Sequence, residues 1–257
     1  TGCYMEFGFW ERDSKGELIY TSLSKLLETP MIEDEEFWNI LKLDQWILFQ
    51  SLNRVYIYDT STESFNILTS DERITNMFLS DGTIYFHREG KGLYKIENGK
   101  DILVLSSDIF NQDVIVSINK NENDELLIVL QHNGIYLLKE NNLERLSNFD
   151  SEKINSSIYS AITLKNGLIA IGTISNGIFL IDRTGEVEYS INQNNGINNN
   201  TILALYEDID GNIWLGQDNG VSCLNMNSST LEFQDSKGKL GSVYASIVKN
   251  ENLYIGT

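Results

Sequence analysis

His87 and His132 are the only two histidines in this 257-residue chain, and imidazole is the side chain best suited to shuttle protons or hold a metal near neutral pH. They fall at equivalent points of two adjacent repeats, each just past an apolar run, followed by Arg88 and Asn133. A zinc-type site needs a third and usually a fourth ligand at readable spacing, and none accompanies them, so no metal is expected. Asp208-Ile209-Asp210-Gly211-Asn212 offers oxygen ligands of the kind calcium takes. An EF-type loop, however, spaces its carboxylates and closes on a bidentate Glu. Here the spacing collapses and no such Glu follows, so the segment reads as a hairpin turn satisfied by its own Asp side chains. No serine nucleophile elbow, glycine-rich phosphate loop or cysteine–histidine signature occurs, so no catalytic residue and no cofactor are assigned. Paired carboxylates of the glycosidase kind stay open, since such a pair need only be neighbours in space.

The elements that position these residues are spelled out by a repeat. Ile84-Tyr85-Phe86 leads to Gly92-Leu93-Tyr94, Leu127-Ile128-Val129 to Gly134-Ile135-Tyr136, Ile169-Ala170-Ile171 to Gly177-Ile178-Phe179, and Ile213-Trp214-Leu215 to Gly220-Val221-Ser222. The glycines at 92, 134, 177 and 220 stand 42, 43 and 43 residues apart. A period in the low forties with four strand-like runs predicts an all-β chain, a β-propeller of four-stranded antiparallel blades. Alternation and Asp-Gly or Asn-Gly turns divide it into a half blade at 1–27, blades at about 36–71, 72–110, 111–150, 154–195 and 197–237, and a half blade at 241–257. In the clearest unit, strand a is Ile202–Tyr206, b is Ile213–Gly216, c is Val221–Leu224, and d follows a turn at Asn227-Ser228-Ser229, around Leu231-Glu232-Phe233. Glu28–Glu36 is the one irregular connection. The halves make about six blade equivalents. Either they complete one another, or the chain is part of a larger, seven-bladed parent; the latter is expected, because the motif should continue past the last residues.

With strand a along the central channel, the b–c and d–a loops share one face, and loops on a rigid scaffold are where sites collect. The equivalent b–c positions are Tyr4 and Glu6, Gln50 and Asn53, His87 and Arg88, Gln131 and His132, Ser175 and Asn176, and Gln217 and Asp218. This set is polar, amide-rich and varied from blade to blade, as a sugar-binding surface is and as solvated hairpin tips also are. Trp214 on strand b, with Trp38, Tyr56, Tyr58, Tyr85, Tyr94 and Tyr136, is expected to pack in buried positions between sheets. Trp10 and Trp46 lie near strand ends. Cys3 and Cys223 make no disulfide framework and are expected to be small apolar core residues.

The formal net charge is -18, from 37 acidic and 19 basic residues. Such a surface repels phosphate backbones, which argues against direct nucleic-acid binding. No apolar run approaches the roughly 18–20 residues of a membrane helix, and no signal peptide is present; the chain opens in mid-repeat at Thr1-Gly2-Cys3.

The stretch from Asn200-Thr201-Ile202 through Asp208, Gly211-Asn212-Ile213-Trp214-Leu215-Gly216 to Gly220-Val221 resembles the two-component regulator propeller repeat, approximately N-T-V-x-x-I-x-x-D-x-x-G-x-I-W-I-G-T-x-x-G-L. It departs at Gln217, where the family has Thr. Ile169-Ala170-Ile171-Gly172-Thr173 with Asn176-Gly177-Ile178 is the next best copy. Gly2–Trp10 with Leu18–Leu23 is similar to the early blade of regulators that join a propeller, a triple-tyrosine module and a helix-turn-helix or histidine-kinase output. The resemblance implies a non-catalytic sensor region in the periplasm, an oligosaccharide ligand, a homodimeric parent, and a membrane helix and output domains beyond Thr257. A propeller glycoside hydrolase or lyase is the alternative, disfavoured by the apolar or hydroxylic strands a. A WD-type protein scaffold is another, and its Gly-His and Trp-Asp signatures are missing.

Overall fold

The computed structural model describes residues 1–121, 123–226, 241–250 and 252–256, and Asn227–Ser229, Leu231–Phe233 and Thr257 of the reading above lie outside them. The chain divides into two compact units, Thr1–Ser151 and Glu152–Thr257. In the first, β1 (Gly2–Cys3), β2 (Glu6–Arg12) and β3 (Leu18–Ser22) form a three-stranded sheet. Next come three four-stranded sheets in meander order. They are β4 (Asn39–Leu43), β5 (Trp46–Gln50), β6 (Arg54–Asp59) and β7 (Ser64–Thr69); then β8 (Ile74–Ser80), β9 (Thr83–Arg88), β10 (Gly92–Glu97) and β11 (Lys100–Leu105); then β12 (Ile115–Lys120), β13 (Leu126–Leu130), β14 (Gly134–Lys139) and β15 (Asn142–Arg145). A short helix, α1 (Asp108–Gln112), precedes β12.

After α2 (Ser151–Ile154), the second unit holds a four-stranded meander of β16 (Ile158–Thr163), β17 (Ile169–Thr173), β18 (Ile178–Ile181) and β19 (Val187–Ile191). It continues with the three strands β20 (Ile202–Glu207), β21 (Asn212–Gln217) and β22 (Gly220–Asn225), and the pair β23 (Ala245–Lys249) and β24 (Asn252–Gly256). Among the described residues the strands pair antiparallel with their neighbours in sequence, and one isolated bridge joins Tyr4 to Glu36. The fold is all-β, a β-propeller of four-stranded antiparallel blades. The two helical turns, α1 and α2, carry no sequence signal strong enough to anticipate them.

The burial of each strand follows from its place in the blade. The second strand lies inside its sheet, and in two blades, at Leu126–Leu130 and Ile169–Thr173, it is buried at every position. It therefore reads as a continuous apolar run. The outermost strands, such as Val187–Ile191 and Asn142–Arg145, alternate with exposed polar positions. Layers of aliphatic side chains fill the space between sheets: Leu48, Ile57, Met77 and Ile84 between β4–β7 and β8–β11, and Ile178, Leu180, Ile202, Ile213 and Leu215 between β16–β19 and β20–β22.

The periodic glycines have a steric cause. Each opens the third strand of its blade at positive φ, +125° at Gly92 and +78° at Gly177. A Cβ at Gly92 would lie 2.3 Å from the carbonyl oxygen of Leu105, and one at Gly177 2.2 Å from that of Ile191. In both cases the obstacle is the last residue of the fourth strand. At these two blades a backbone collision demands the glycine; at Gly134 the obstacle is the Phe149 side chain, 2.9 Å away, and Gly220, with nothing near it, keeps only its positive φ of +141°. Gly177→Ala is expected to lower the unfolding free energy by more than about 1 kcal/mol. Denaturant titration with an unchanged m-value would check it, and an unperturbed midpoint would refute the steric account.

Candidate functional site

In an antiparallel four-strand meander the turn between the second and third strands lies at the same end of the sheet as the approach to the first. At that end a side chain staples the two segments together in four of the blades, a carboxylate in two and a carboxamide in two. Asp113 stands just before β12 with its side chain fully buried. Its Oδ2 accepts the backbone N–H groups of His132 at 2.9 Å and Asn133 at 2.7 Å, and its Oδ1 accepts that of Val114 at 2.9 Å. Before β4, the buried Glu35 accepts the Ser51 hydroxyl at 2.5 Å, the Tyr56 hydroxyl at 2.7 Å and the Ile32 N–H at 3.0 Å. Burial first, and the neighbouring Glu35 next, push the Tyr56 phenol up to about 12. In the second unit Asn176 Nδ2 donates to the carbonyls of Ile154 at 2.8 Å and Asn155 at 3.1 Å. Gln217 Nε2 donates to that of Asn199 at 2.6 Å, while its Oε1 accepts the Ser222 hydroxyl at 2.6 Å.

Most of the polar set expected at this end is therefore engaged within its own blade or with the next. Gln50 is wholly buried, and its Nε2 donates to the Ile74 carbonyl at 3.1 Å, across to the following sheet. Asn53 donates to Ser70 O at 3.2 Å. Arg88 pairs with Asp101 at 2.7 Å and lies over the rings of Tyr94 and Phe86. Glu6 accepts the hydroxyls of Ser22 at 2.7 Å and Tyr20 at 2.8 Å. Burial works to raise its carboxyl, but these hydrogen bonds prevail and hold it below the usual range. Tyr4 is exposed and its hydroxyl donates to Asp34, a bond that raises the phenol. Ser175 shares a hydroxyl contact of 2.8 Å with Ser156. Gln131 is half-buried and its N–H donates to Val114 O at 3.0 Å. His132 and Asp218 are exposed at hairpin tips, His132 with Nδ1 3.1 Å from Asp113.

The two histidines do not occupy equivalent places, contrary to the sequence expectation: His87 stands five residues before Gly92 and within β9, His132 two residues before Gly134 and beyond the end of β13. His132 is on the surface, whereas His87 lies inside β9 and is only 1 % exposed. Its Nε2 is 3.1 Å from the Phe110 carbonyl and its Nδ1 2.8 Å from the Thr75 hydroxyl. A carbonyl can only accept, so Nε2 carries the proton and Nδ1 accepts from Thr75. Thr75 is the extra residue of a β-bulge between Ile74 and Asn76, which aims it at the ring. Desolvation by burial lowers the His87 pKa, so the ring is held neutral.

Sequence reasoning missed Glu35 and Asp113, which look like surface acids in connecting segments. Three aromatic or sulfur assignments need correcting. Trp214 is 42 % exposed rather than buried, because it lies on the pleat face opposite Ile213 and Leu215, which fill the inter-sheet layer. Its indole N–H donates to Asp208 Oδ2 at 2.9 Å. Trp38 is 62 % exposed because the adjacent Phe37 takes the inward direction, against Phe7 and Tyr56. Cys3 and Cys223 are both exposed, Cys3 on the short outer strand β1 and Cys223 on the same open face as Trp214. Tyr56, Tyr58 and Tyr85 are buried, and Tyr94 and Tyr136 half-buried.

The Asp208 turn uses its carboxylate internally. Oδ1 accepts the N–H groups of Asp210 and Asn212, both at 2.9 Å, and Oδ2 takes the Asn212 amide and the Trp214 indole. The Trp214 bond, followed by those from Asn212, pulls the carboxyl down to about 2. Asp13 and Asp182 make the same loop-closing bonds two and four residues ahead.

Two outcomes are expected. Asp113→Ala strands three backbone N–H groups and should cost about 2–3 kcal/mol of stability, with Asp113→Asn intermediate; equal stability of Asp113→Ala and wild type would remove the staple from the account. For His87, the folded pKa lies below the unfolded value of about 6.5. Its contribution is therefore complete above that pH and is lost as the pH falls below it. Melting temperature should drop more steeply between pH 7 and 5 in the wild type than in His87→Gln; parallel profiles would contradict this.

Residues 196–219 match the family model described as "Two component regulator propeller". No curated protein matches the chain in sequence. In structure, the chain is similar to the extracellular domain of a putative one component system from B. thetaiotaomicron, at 16% identity and TM-score 0.57, covering 99% of this chain and 43% of that one. It is similar to the extracellular domain of a putative hybrid two component system from the same organism, at 20% identity and TM-score 0.59, covering 88% and 32%. A third likeness is to PorZ, a surface component of the type-IX secretion system of Porphyromonas gingivalis, at 16% identity and TM-score 0.56, covering 97% and 39%. The chain thus spans less than half the length of each of these proteins. What it carries is a two component regulator propeller repeat at residues 196–219, within a propeller fold of the kind found in extracellular domains of such systems.

Proposed function

We propose that this chain is the signal-input propeller of a bacterial one-component or hybrid two-component regulator, working outside the cytoplasm. The regulator repeat at residues 196–219, set in a fold shared with two extracellular domains of such systems, carries this reading. The ligand proposed is an oligosaccharide, met at the end of the blades where the b–c hairpins emerge. In the first unit that end of the blades presents Tyr4 and His132 to solvent, and in the second unit the corresponding end of its blades presents Asp218. A binding rather than a catalytic role fits the two buried carboxylates there, since Glu35 and Asp113 each hold several hydrogen bonds of their own hairpin. A carboxylate so employed is poorly placed to take or give a proton.

The parent is proposed to be a homodimer in which a triple-tyrosine module and output domains follow this segment. To signal, the ligand must prefer one arrangement of the parent over another, because equal affinity for both shifts nothing.

A thermal-shift screen against plant and host oligosaccharides, followed by calorimetry, tests the proposal. A true ligand raises the melting temperature by mass action, and His132→Ala together with Asp218→Ala should reduce that rise. A folded protein that is indifferent to the whole panel would sink oligosaccharide recognition by this segment.

A further inference from the structure

A cavity lies in the first unit, at the end of the sheets opposite the b–c hairpins. It opens between β4–β7 and β8–β11 and has a volume of about 380 Å³, within the range of small-molecule sites, roughly 300–1,000 Å³. Its floor is aliphatic: Leu48, Ile57 and Ile84 are core residues of the layer, and Ile96 packs against them. Protein interiors ordinarily close such gaps, and the neighbouring layer does so, with Phe78, Tyr85, Phe110 and Tyr136 filling the space around Ile118 and Leu138. Between β4–β7 and β8–β11 the gap is instead spanned at its rim by one hydrogen bond, from Asn66 Nδ2 to Gly99 O at 2.8 Å.

The mouth has a distinct electrostatic character. Trp46 and Asp59 face each other across a cross-strand pair, and Asn66 and Asn98 complete the polar edge. Asp59 Oδ1 accepts the N–H of Ser61 at 2.8 Å, the Ser61 hydroxyl at 2.5 Å and the N–H of Thr62 at 3.3 Å. Hydrogen bonds from Ser61 foremost, with a smaller one from the Trp46 indole, hold its carboxyl below the usual range. No Lys, Arg or His lines the cavity, so this carboxylate meets no cation there. A carboxylate at the mouth of a cavity with an apolar floor attracts an ammonium group by charge while the floor takes its hydrocarbon body. The chain's net charge of -18 acts in the same direction.

We infer that this cavity is a binding site for a small organic amine, with its ammonium at Asp59 beside Trp46 and its apolar body on Leu48, Ile57, Ile84 and Ile96. This inference is independent of the oligosaccharide reading and concerns the opposite end of the blades.

Three near-isosteric probes test it by calorimetry on the intact chain: 2-phenylethylammonium, 2-phenylethanol and phenylacetate. The ammonium is expected to bind one-to-one, the alcohol about three- to tenfold more weakly, and the anion more weakly still. Raising the salt concentration should narrow the gap between ammonium and alcohol. Asp59→Asn, which keeps an oxygen for the Ser61 turn, should bring the ammonium down to the alcohol's affinity. Ile96→Phe, which fills the floor, should abolish binding of both. Equal affinity for all three probes would overturn the inference, as would no saturation by the ammonium at millimolar concentration. The comparison of probes on the wild type decides the matter even if a variant fails to fold.

Discussion

The structure of each unit depends on burying the apolar second and third strands of its blades against a neighbouring sheet of the same unit. A four-stranded sheet with an apolar strand such as Leu126–Leu130 has two faces to remove from water, and no blade can do that alone. At roughly 25 cal/mol per Å² of apolar surface, the layers between sheets are the main favourable term. Their side chains are correspondingly branched and aliphatic, with aromatics where more width must be filled. Each blade is therefore stable only through its neighbours, as in other repeat architectures.

That constraint explains the polar chemistry at the blade ends. The first strand must enter at the right height for its apolar residues to meet the next layer, so the connection before it is tied to the hairpin of its own sheet. Asp113, Glu35, Asn176 and Gln217 do this with four different side chains. The requirement is only that a donor or acceptor reach a backbone or hydroxyl group at that point, and several residue types meet it. Diversity from blade to blade, which in a sequence looks like a recognition surface, is here also the outcome of satisfying buried backbone groups by whatever is available. The exposed tips at His132 and Asp218 are less constrained.

Where the layers are incompletely filled, function has room. The cavity beneath Trp46 is a gap in the layer between β4–β7 and β8–β11, and the rest of the unit packs tightly enough to hold its walls. A rigid scaffold with a local defect is a better place for a small ligand than a mobile loop, because little order has to be created on binding. The two ends of the blades thus present different chemistries, amide-rich at the b–c hairpins and apolar with one carboxylate at the other.

The sequence by itself determined the repeat, the strand order and the positions of the turns. These rest on local rules: alternation of apolar residues, Asp-Gly and Asn-Gly pairs, and a glycine at the start of the third strand in four of the blades. The regulator repeat around Asn200–Val221 was legible for the same reason, as a contiguous stretch. What tertiary structure alone decided are the facts that need a partner distant in sequence. His87 and His132 each follow an apolar run in the sequence, yet strand register puts His87 inside β9, sealed against Phe110, and His132 in the turn beyond β13, facing solvent. Glu35 and Asp113 look like ordinary acids until the hairpins at Ser51 and His132 are brought to them. Trp214 and Trp38 are large and apolar, but pleat direction turns them outward. Local patterning fixes which residues alternate; only packing decides which of the two faces meets another sheet.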